Sequence, residues 1–351
     1  RRAWTWLSAL GLALLSTTIS PISLRAFAQT SSCGSEENLK VDDATGLDIL
    51  KTAVNCSGGD VLVVWSGDVP LESPVLVGPG TSLAVLGGGG GGAVARGDLQ
   101  TRLFEVSPGA QLTLNNLKLV EGSALNGGAI LSIGSLTLDT CEFVGNVATN
   151  GSGGAVWAGG GVVTISGVAF SGNSAANFGG AVFTLGAELL IEDGSRFDSN
   201  QAEEGGAVYC RGSEGSSEDS LLTASCTLSD AVFLRNNASI EGDVTIADVV
   251  DLEDIGNIEN ENPWRFLFGG GAATFVNAEV IISNCDFTKN SAQVAGGALY
   301  GGDATNLSIS GCTFKGNSAV GVGGAVAASS VTLGGGTELR DNNASKNGGG
   351  E

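Results

Sequence analysis

The sequence predicts an all-β protein, a right-handed parallel β-helix built from coils of about 26 residues. Two observations carry this prediction: Gly-Gly-Ala recurs at a fixed spacing, and Phe-x-x-Asn recurs in phase with it. A third is the composition, with 57 glycines in 351 residues and no long stretch of helical periodicity. Because each glycine inside a helix costs about 1 kcal/mol relative to alanine, helical repeats of similar length are disfavoured.

The repeat consists of two motifs in a constant order. Gly-Gly-Ala begins at Gly127, Gly153, Gly179, Gly205, Gly270, Gly296 and Gly323, so successive copies lie 26, 26, 26, 65, 26 and 27 residues apart. The Phe-x-x-Asn pairs are Phe143 and Asn146, Phe170 and Asn173, Phe197 and Asn200, Phe233 and Asn236, Phe287 and Asn290, and Phe314 and Asn317. Neighbouring coils lie about 4.8 Å apart, so each Phe should stack on the next Phe and each Asn on the next Asn. We therefore interpret these residues as scaffold rather than as a repeated active site.

The first 60 residues divide into two predicted segments. Residues 1–28 read as a secretory signal peptide, with Arg1-Arg2, an apolar run from Leu7 to Leu15, and Ala26-Phe27-Ala28 before Gln29. A single membrane anchor is the alternative, but polar residues shorten the apolar stretch well below the about 18 residues that a span needs. Residues 29–60 are interpreted as an N-terminal cap, because the amphipathic "DATGLDILKTAV" could cover the open first coil.

Residues 61–351 are assigned to the β-helix repeats, with an acidic insertion at about 211–265, and we expect the C-terminus to be truncated because the array stops within a unit. The insertion has two parts, one around "RGSEGSSEDS" and one after Asn236 that could hold a degenerate coil around "GDVTIADVVDLED". Weak candidates for calcium ligands are Asp243, Asp248, Asp251, Glu253 and Asp254. A solvated acidic loop is the alternative because no Asp-x-Asp-x-Asp-Gly loop is present, and no resident cofactor is expected. Trp264 and Phe266 are interpreted as a plug that returns the loop to the core, with a sugar-stacking platform as the alternative.

Seven cysteines in a chain expected to be exported favour disulfides, and the odd number leaves at least one unpaired. The pairs we expect are Cys33–Cys56, Cys210–Cys226 and Cys285–Cys312, with Cys141 left over. Stacked thiols are the alternative for Cys285 and Cys312, because parallel side chains in neighbouring coils are poorly aimed for bonding. Candidate glycosylation sequons, relevant only to a eukaryotic secretory route, stand at Asn55, Asn150, Asn237, Asn306 and Asn343.

Charge and composition limit the function classes. The net charge is −21, and without residues 1–28 it becomes 13 minus 37, or −24, so the basic face that nucleic acid binding needs is missing. The chain has no histidine, which excludes catalytic triads and zinc sites that depend on histidine. Carboxylate pairs can hydrolyse glycosides, but no pair recurs at one coil position. The sequence thus predicts a monomeric, non-catalytic binding scaffold. A polysaccharide lyase, hydrolase or epimerase is the alternative, and a purely structural wall protein is a third reading.

Gly-Gly-Ala-[Ile/Leu/Val] alternating with Phe-x-x-Asn resembles the repeat of the chlamydial polymorphic outer membrane proteins and their β-helical relatives in the pectin-lyase-like superfamily. The matching pieces are "GGAI" at 127–130, "GGAV" at 153–156, 179–182, 205–208 and 323–326, and "GGAL" at 296–299. The resemblance covers about residues 125–345. It implies a secreted or cell-surface adhesion protein, at the outer membrane if the host is bacterial. Its ligand would be a glycan or a cell-surface protein, and membrane association would come only through a C-terminal region beyond Glu351.

Overall fold

The structure is a computed structural model that describes residues 39–55, 59–88, 92–214, 221–222, 224–239, 269–303 and 305–345. The described chain forms a parallel β-solenoid of about ten turns. Strands of successive coils pair into four long parallel sheets, named A to D below. The predicted all-β parallel β-helix is therefore confirmed.

A complete coil passes through the sheets in the order C, A, B and D. In one coil the four strands are Val156–Gly159, Val162–Ser166, Ala169–Ser171 and Ser174–Ala175. The first three coincide with the β-rich runs of the repeat. The strands of sheet D were not predicted, because two residues are too few to show a periodicity.

Sheet A holds the longest strands, and sheet B holds the Phe positions of the repeat. Sheet A contains β1 (Leu39–Val41), β2 (Gly59–Trp65), β5 (Thr81–Gly87), β8 (Gln111–Asn115), β12 (Ser135–Asp139), β16 (Val162–Ser166), β20 (Glu188–Glu192), β26 (Ala224–Ser229), β30 (Ala278–Ser283), β34 (Asn306–Ser310) and β38 (Val331–Leu333). Sheet B contains β3 (Asp68–Pro70), β6 (Val94–Arg96), β9 (Lys118–Val120), β13 (Glu142–Val144), β17 (Ala169–Ser171), β21 (Arg196–Asp198), β27 (Val232–Leu234), β31 (Asp286–Thr288), β35 (Thr313–Lys315) and β39 (Glu338–Arg340).

Sheets C and D follow and precede the Gly-Gly-Ala corner. Sheet C contains β4 (Val75–Val77), β7 (Phe104–Val106), β11 (Ile130–Ser132), β15 (Val156–Gly159), β19 (Val182–Leu185), β23 (Val208–Arg211), β29 (Ala273–Val276), β33 (Leu299–Gly301) and β37 (Val326–Ala328). Sheet D contains β10 (Ser123–Ala124), β14 (Val147–Ala148), β18 (Ser174–Ala175), β22 (Gln201–Ala202), β28 (Asn237–Ala238), β32 (Ser291–Ala292), β36 (Ser318–Ala319) and β40 (Asn343–Ala344). A short antiparallel hairpin of β24 (Ser213–Glu214) and β25 (Leu221–Leu222) projects from one coil.

Alternation within each strand separates the core from the surface. In β16, Val163 and Ile165 are buried, whereas Thr164 between them is half-buried on the outer face. The same positions pair in register with Leu189 and Ile191 of the next coil, which are also buried. Stacking these period-two strands therefore produces one continuous apolar core along the solenoid.

Helix α1 (Ala44–Asn55) lies at the N-terminal end of the stack. It begins after Asp43, whose carboxylate accepts a hydrogen bond from the Gly46 backbone N–H at 2.8 Å, as an N-cap residue does. Leu47, Leu50 and Val54 are buried in the main core. Since α1 packs against β1 and β4, the first strands of sheets A and C, it shields their edge from other chains.

The 65-residue unit is a single coil with two excursions. Strand β23 pairs directly with β29, and β28 pairs directly with β32, so no coil intervenes in these sheets. The first excursion includes the β24–β25 hairpin, and the second leaves after Ser239 and returns at Gly269. The expected degenerate coil around "GDVTIADVVDLED" lies outside the described residues.

The turn between each Phe and its Asn requires a left-handed backbone. The residue before the repeat Asn has a positive φ in every coil: Gly145, Gly172, Ser199, Arg235, Lys289, Gly316 and Asp341, with φ of 63°, 62°, 57°, 54°, 55°, 62° and 55°. A residue with a Cβ is strained in this region and glycine is not. The residue before the repeat Asn therefore has the left-handed conformation that glycine favours, even in the coils where it is not glycine.

We expect Lys289→Gly to raise the free energy of unfolding by about 1 kcal/mol, because it relieves the strain of a left-handed backbone. This gain exceeds the cost of the additional conformational entropy that a glycine gives the unfolded chain. The Lys289 backbone N–H keeps its 2.9 Å bond to the Lys315 carbonyl oxygen. Gly172→Ala is the matched opposite, since a Cβ there meets no atom within 4 Å and tests strain alone. Denaturant midpoints measure both, and a lower midpoint for Lys289→Gly would contradict this explanation.

Candidate functional site

The Phe residues of the repeat form an internal stack of rings. Centroids of successive rings from Phe143 to Phe314 lie 4.7, 4.8, 4.8, 4.9 and 4.8 Å apart, with interplanar angles of 14° or less. All six rings are fully buried. Leu119 precedes and Leu339 follows the stack in register, so the same row continues in aliphatic side chains. These rings are core, and they present no surface to a ligand.

The Asn residues form a second ladder in which every polar atom has a partner. The Asn200 Nδ2 donates to Asn236 Oδ1 at 3.0 Å and to the Phe170 carbonyl oxygen at 3.1 Å. Its Oδ1 accepts from the backbone N–H and the Nδ2 of Asn173, at 3.1 and 3.0 Å. The pattern holds from Asn146 to Asn342. A carboxylate would lack both donors, which explains why this position is an amide.

The Gly-Gly-Ala corner admits no side chain at either glycine. Gly153 has φ of +68°, and a Cβ there would lie 2.2 Å from the Val156 carbonyl oxygen. A Cβ on Gly154 would lie 2.0 Å from the Gly180 carbonyl oxygen of the next coil. The paired glycines therefore allow both the turn and the close approach of neighbouring coils, as a scaffold motif does.

A further aromatic layer, which we call the outer aromatic layer, lies on the outer face of sheet C. Trp157, Phe183 and Tyr209 occupy one register row, with centroids 5.9 and 5.6 Å apart. Phe178, from the segment before Gly179, lies 4.7 Å from Tyr209. Sequence reasoning missed this layer, although a signal existed: Trp157, Phe183, Tyr209 and Tyr300 each stand four residues after the first glycine of a Gly-Gly-Ala.

One carboxyl group is buried in this layer. Glu204 is 6% exposed and lies beside Phe178 in register. The pKa of Glu204 is raised to about 8, first by burial and then by the charge of Glu203, although Arg211 lowers it. Burial, with Glu204 as a further cause, also raises the pKa of Tyr209 and Tyr300. Glu204 is therefore largely protonated at neutral pH, which sequence reasoning did not foresee.

Of the expected cysteine pairs, one is a disulfide in the structure and another is a pair of free thiols. Cys210 and Cys226 form a disulfide between sheets C and A, at the base of the β24–β25 hairpin. Cys285 and Cys312 form no disulfide; both are free and buried, as is Cys141. Each of the pair donates its thiol to the carbonyl oxygen two residues earlier, on Ser283 or Ser310, so the side chains run parallel and the stacked-thiol alternative describes them. Cys33 and Cys56 lie outside the described residues.

The remaining candidate sites fall partly outside the described chain. The calcium candidates Asp243, Asp248, Asp251, Glu253 and Asp254, and the aromatic residues Trp264 and Phe266, all lie outside it. In the part of the chain that is described, no group of three or more Cys, Asp or Glu residues could hold a metal ion. Among the sequons, Asn150, Asn306 and Asn343 are exposed, whereas Asn237 is half-buried and hydrogen-bonded to Ser239 and Ser291. Asn55 is the last residue of α1.

Two segments of the chain, residues 167–185 and 284–302, match the Chlamydia polymorphic membrane protein repeat. These two segments are similar to polymorphic membrane protein repeats. Each matched segment runs from the corner before sheet B, through Phe-x-x-Asn and Gly-Gly-Ala, to sheet C. The polymorphic membrane protein repeat therefore includes the ring stack, the amide ladder and the glycine corner, but not the strand in sheet A.

No curated protein and no solved structure matches the chain. Across the described ranges, no helix is long and apolar enough to be a candidate for crossing a membrane.

Proposed function

We propose that this chain is an exported surface or extracellular β-helical scaffold for adhesion or binding, without catalytic activity in this segment. The observation that carries the proposal is that the repeated Phe and Asn side chains are buried and fully engaged with one another. A repeat whose recurring side chains stack on one another inside the solenoid extends the scaffold and its surface, and does not form a repeated active site. The polymorphic membrane protein repeat supports display at a cell surface.

Ligand recognition is assigned in this proposal to the second excursion of the 65-residue unit, residues 240–268. Both of its ends are held by one short segment of the preceding coil. The Ser239 backbone N–H donates to the Ala202 carbonyl oxygen at 2.9 Å, and the Gly205 N–H donates to the Gly269 carbonyl oxygen at 3.1 Å. Insertions that leave a regular solenoid at one place are where binding function is commonly added.

The experiment compares the full chain with a variant that lacks residues 240–268. Joining Ser239 to Gly269 leaves two residues between Ala238 and Gly270, as there are between Ala202 and Gly205 of the preceding coil. The shortened coil therefore keeps the register of the stack. Both proteins, fluorescently labelled, are applied to a glycan array and to cultured cells. Retention by the full chain and loss in the deletion variant are expected. Retention that is unchanged in the variant would place recognition elsewhere on the solenoid.

The same incubations test the absence of catalysis. Soluble products are assayed for new reducing ends and for unsaturated uronate, which a hydrolase or a lyase would release. We expect none at protein concentrations that saturate binding. Release of either product, if abolished by substituting a carboxylate of the chain, would overturn the non-catalytic part of the proposal and favour a polysaccharide-cleaving enzyme.

A further inference from the structure

Glu204 interrupts a row of apolar or small side chains. In the coils around it the equivalent position, immediately before the glycine pair, holds Phe178, Gly269, Ala295 and Val322. Glu204 is 6% exposed, and no hydrogen bond joins its carboxyl group to another described residue. A carboxylate that is so little exposed has lost most of its hydration, whereas a protonated carboxyl group loses much less.

Glu204 also lies between the two residues that hold the ends of the second excursion. It lies between Ala202, whose carbonyl oxygen accepts from Ser239, and Gly205, whose N–H donates to Gly269. Its own backbone N–H donates to the Asn177 carbonyl oxygen at 3.0 Å, and its carbonyl oxygen accepts from Gly179 at 2.9 Å. Phe178 and Tyr209, whose rings are 4.7 Å apart, lie next to it. Moving this side chain into water would therefore disturb the outer aromatic layer and both anchors of the second excursion.

We propose that Glu204 is a proton-dependent clamp: its neutral carboxyl group holds the outer aromatic layer and the anchors at Ser239 and Gly269, and its ionisation loosens both. The proposal is independent of the binding function above.

The charges that face Glu204 come from three elements. Glu203 adjoins it in the chain, Arg211 and Tyr209 lie on β23, and Tyr300 lies on β33 with Asp303 after it. Phe178 on one side and Gly269 on the other carry no charge. Among the described residues, Arg211 favours the ionised form, but burial and the Glu203 charge outweigh it, so the pKa of Glu204 rises from 4.5 to about 8.

The sign of the pH effect follows from this direction. Between 4.5 and about 8 the folded chain holds a proton that the unfolded chain has released. The stabilisation is complete below pH 4.5 and is lost as the pH rises towards about 8. Across this window the folding equilibrium constant contributed by this group falls by up to about tenfold per pH unit.

Hydrogen exchange of the full chain from pH 5 to pH 9, corrected for the intrinsic rate, tests the clamp at the amides of Glu204, Gly205, Tyr209 and Ser239. We expect wild-type protection at these amides to fall by at least tenfold across the range, and protection in sheet A to remain. Glu204→Gln, which is neutral and of the same shape, should give a flat profile. Glu188→Gln removes an exposed charge on the outer face of β20 and should keep the wild-type profile.

A flat wild-type profile would overturn the proposal, as would a Glu204→Gln profile that still falls with pH. If Glu204→Gln does not fold, Glu204→Leu replaces it, since an apolar side chain suits the row that Phe178 and Val322 share. Should neither variant fold, the wild-type profile alone decides between a clamp and a merely buried acid.

Discussion

Replacing Asn200 with alanine is expected to lower the free energy of unfolding by about 3–5 kcal/mol, because it leaves buried hydrogen-bonding groups without partners at about 1–3 kcal/mol each. Three groups are affected in the preceding coil: the backbone N–H of Asn173, one Nδ2 hydrogen of Asn173, and the carbonyl oxygen of Phe170. All of them lie where no water can replace the lost partner.

The measurement combines a denaturation midpoint with hydrogen exchange at the Asn173 amide, because a solenoid can open locally without unfolding as a whole. Asn150→Ala is the control, since Asn150 is an exposed asparagine in the turn after sheet D. We expect a change below about 0.5 kcal/mol for that exposed substitution. Equal effects of the two variants would show that the amide ladder does not stabilise the stack.

Replacing Phe197 with alanine is expected to cost about 3–5 kcal/mol, the range for removing a fully buried aromatic ring. Phe197 lies 4.8 Å from both Phe170 and Phe233, so the cavity would open between two rings that cannot close on each other. The backbone spacing of the coils is fixed by the strand pairing of β17, β21 and β27.

Phe197→Leu is the matched variant and should cost less than half as much. Leucine already occupies this row at Leu119 and Leu339, so the backbone accepts its shape. Denaturant midpoints and the melting temperature of the three proteins give the comparison. If the leucine variant were as unstable as the alanine variant, contact between the rings rather than filled volume would be the main source of stability.

The stacking of Phe and Asn could be predicted because both residues recur in phase with the glycine pairs, and a parallel solenoid places equivalent positions one above another. The partners of each amide could not. Asn200 reaches back to the carbonyl oxygen of Phe170 in the preceding coil, and the residue just before it, Ser199, has a left-handed backbone. Because only three of the seven equivalent positions are glycine, the left-handed turn is not evident from the sequence.

The outer aromatic layer was missed for a different reason. Outward side chains of a sheet normally face water, so the sequence alone does not indicate that Trp157, Phe183 and Tyr209 form a packed row. Phe178 packs against Phe183 and Tyr209, which are buried, whereas Trp157 stays half-buried, and this packing has no signature in local alternation. Glu204 became visible only through that packing, because its sequence neighbourhood is simply acidic.

The join at Ser239 and Gly269 has a consequence for how such chains diversify. Strand β23 pairs with β29, and β28 with β32, as in any other coil. The hydrogen bonds that hold Ser239 and Gly269 in the stack therefore do not depend on the sequence between these two residues. Loop-closure entropy grows slowly with length, by about 0.6 kcal/mol for each doubling. Evolution can therefore lengthen, shorten or exchange residues 240–268 almost independently of the solenoid, and a foreign peptide grafted between the same two ends should be displayed without redesigning a single coil.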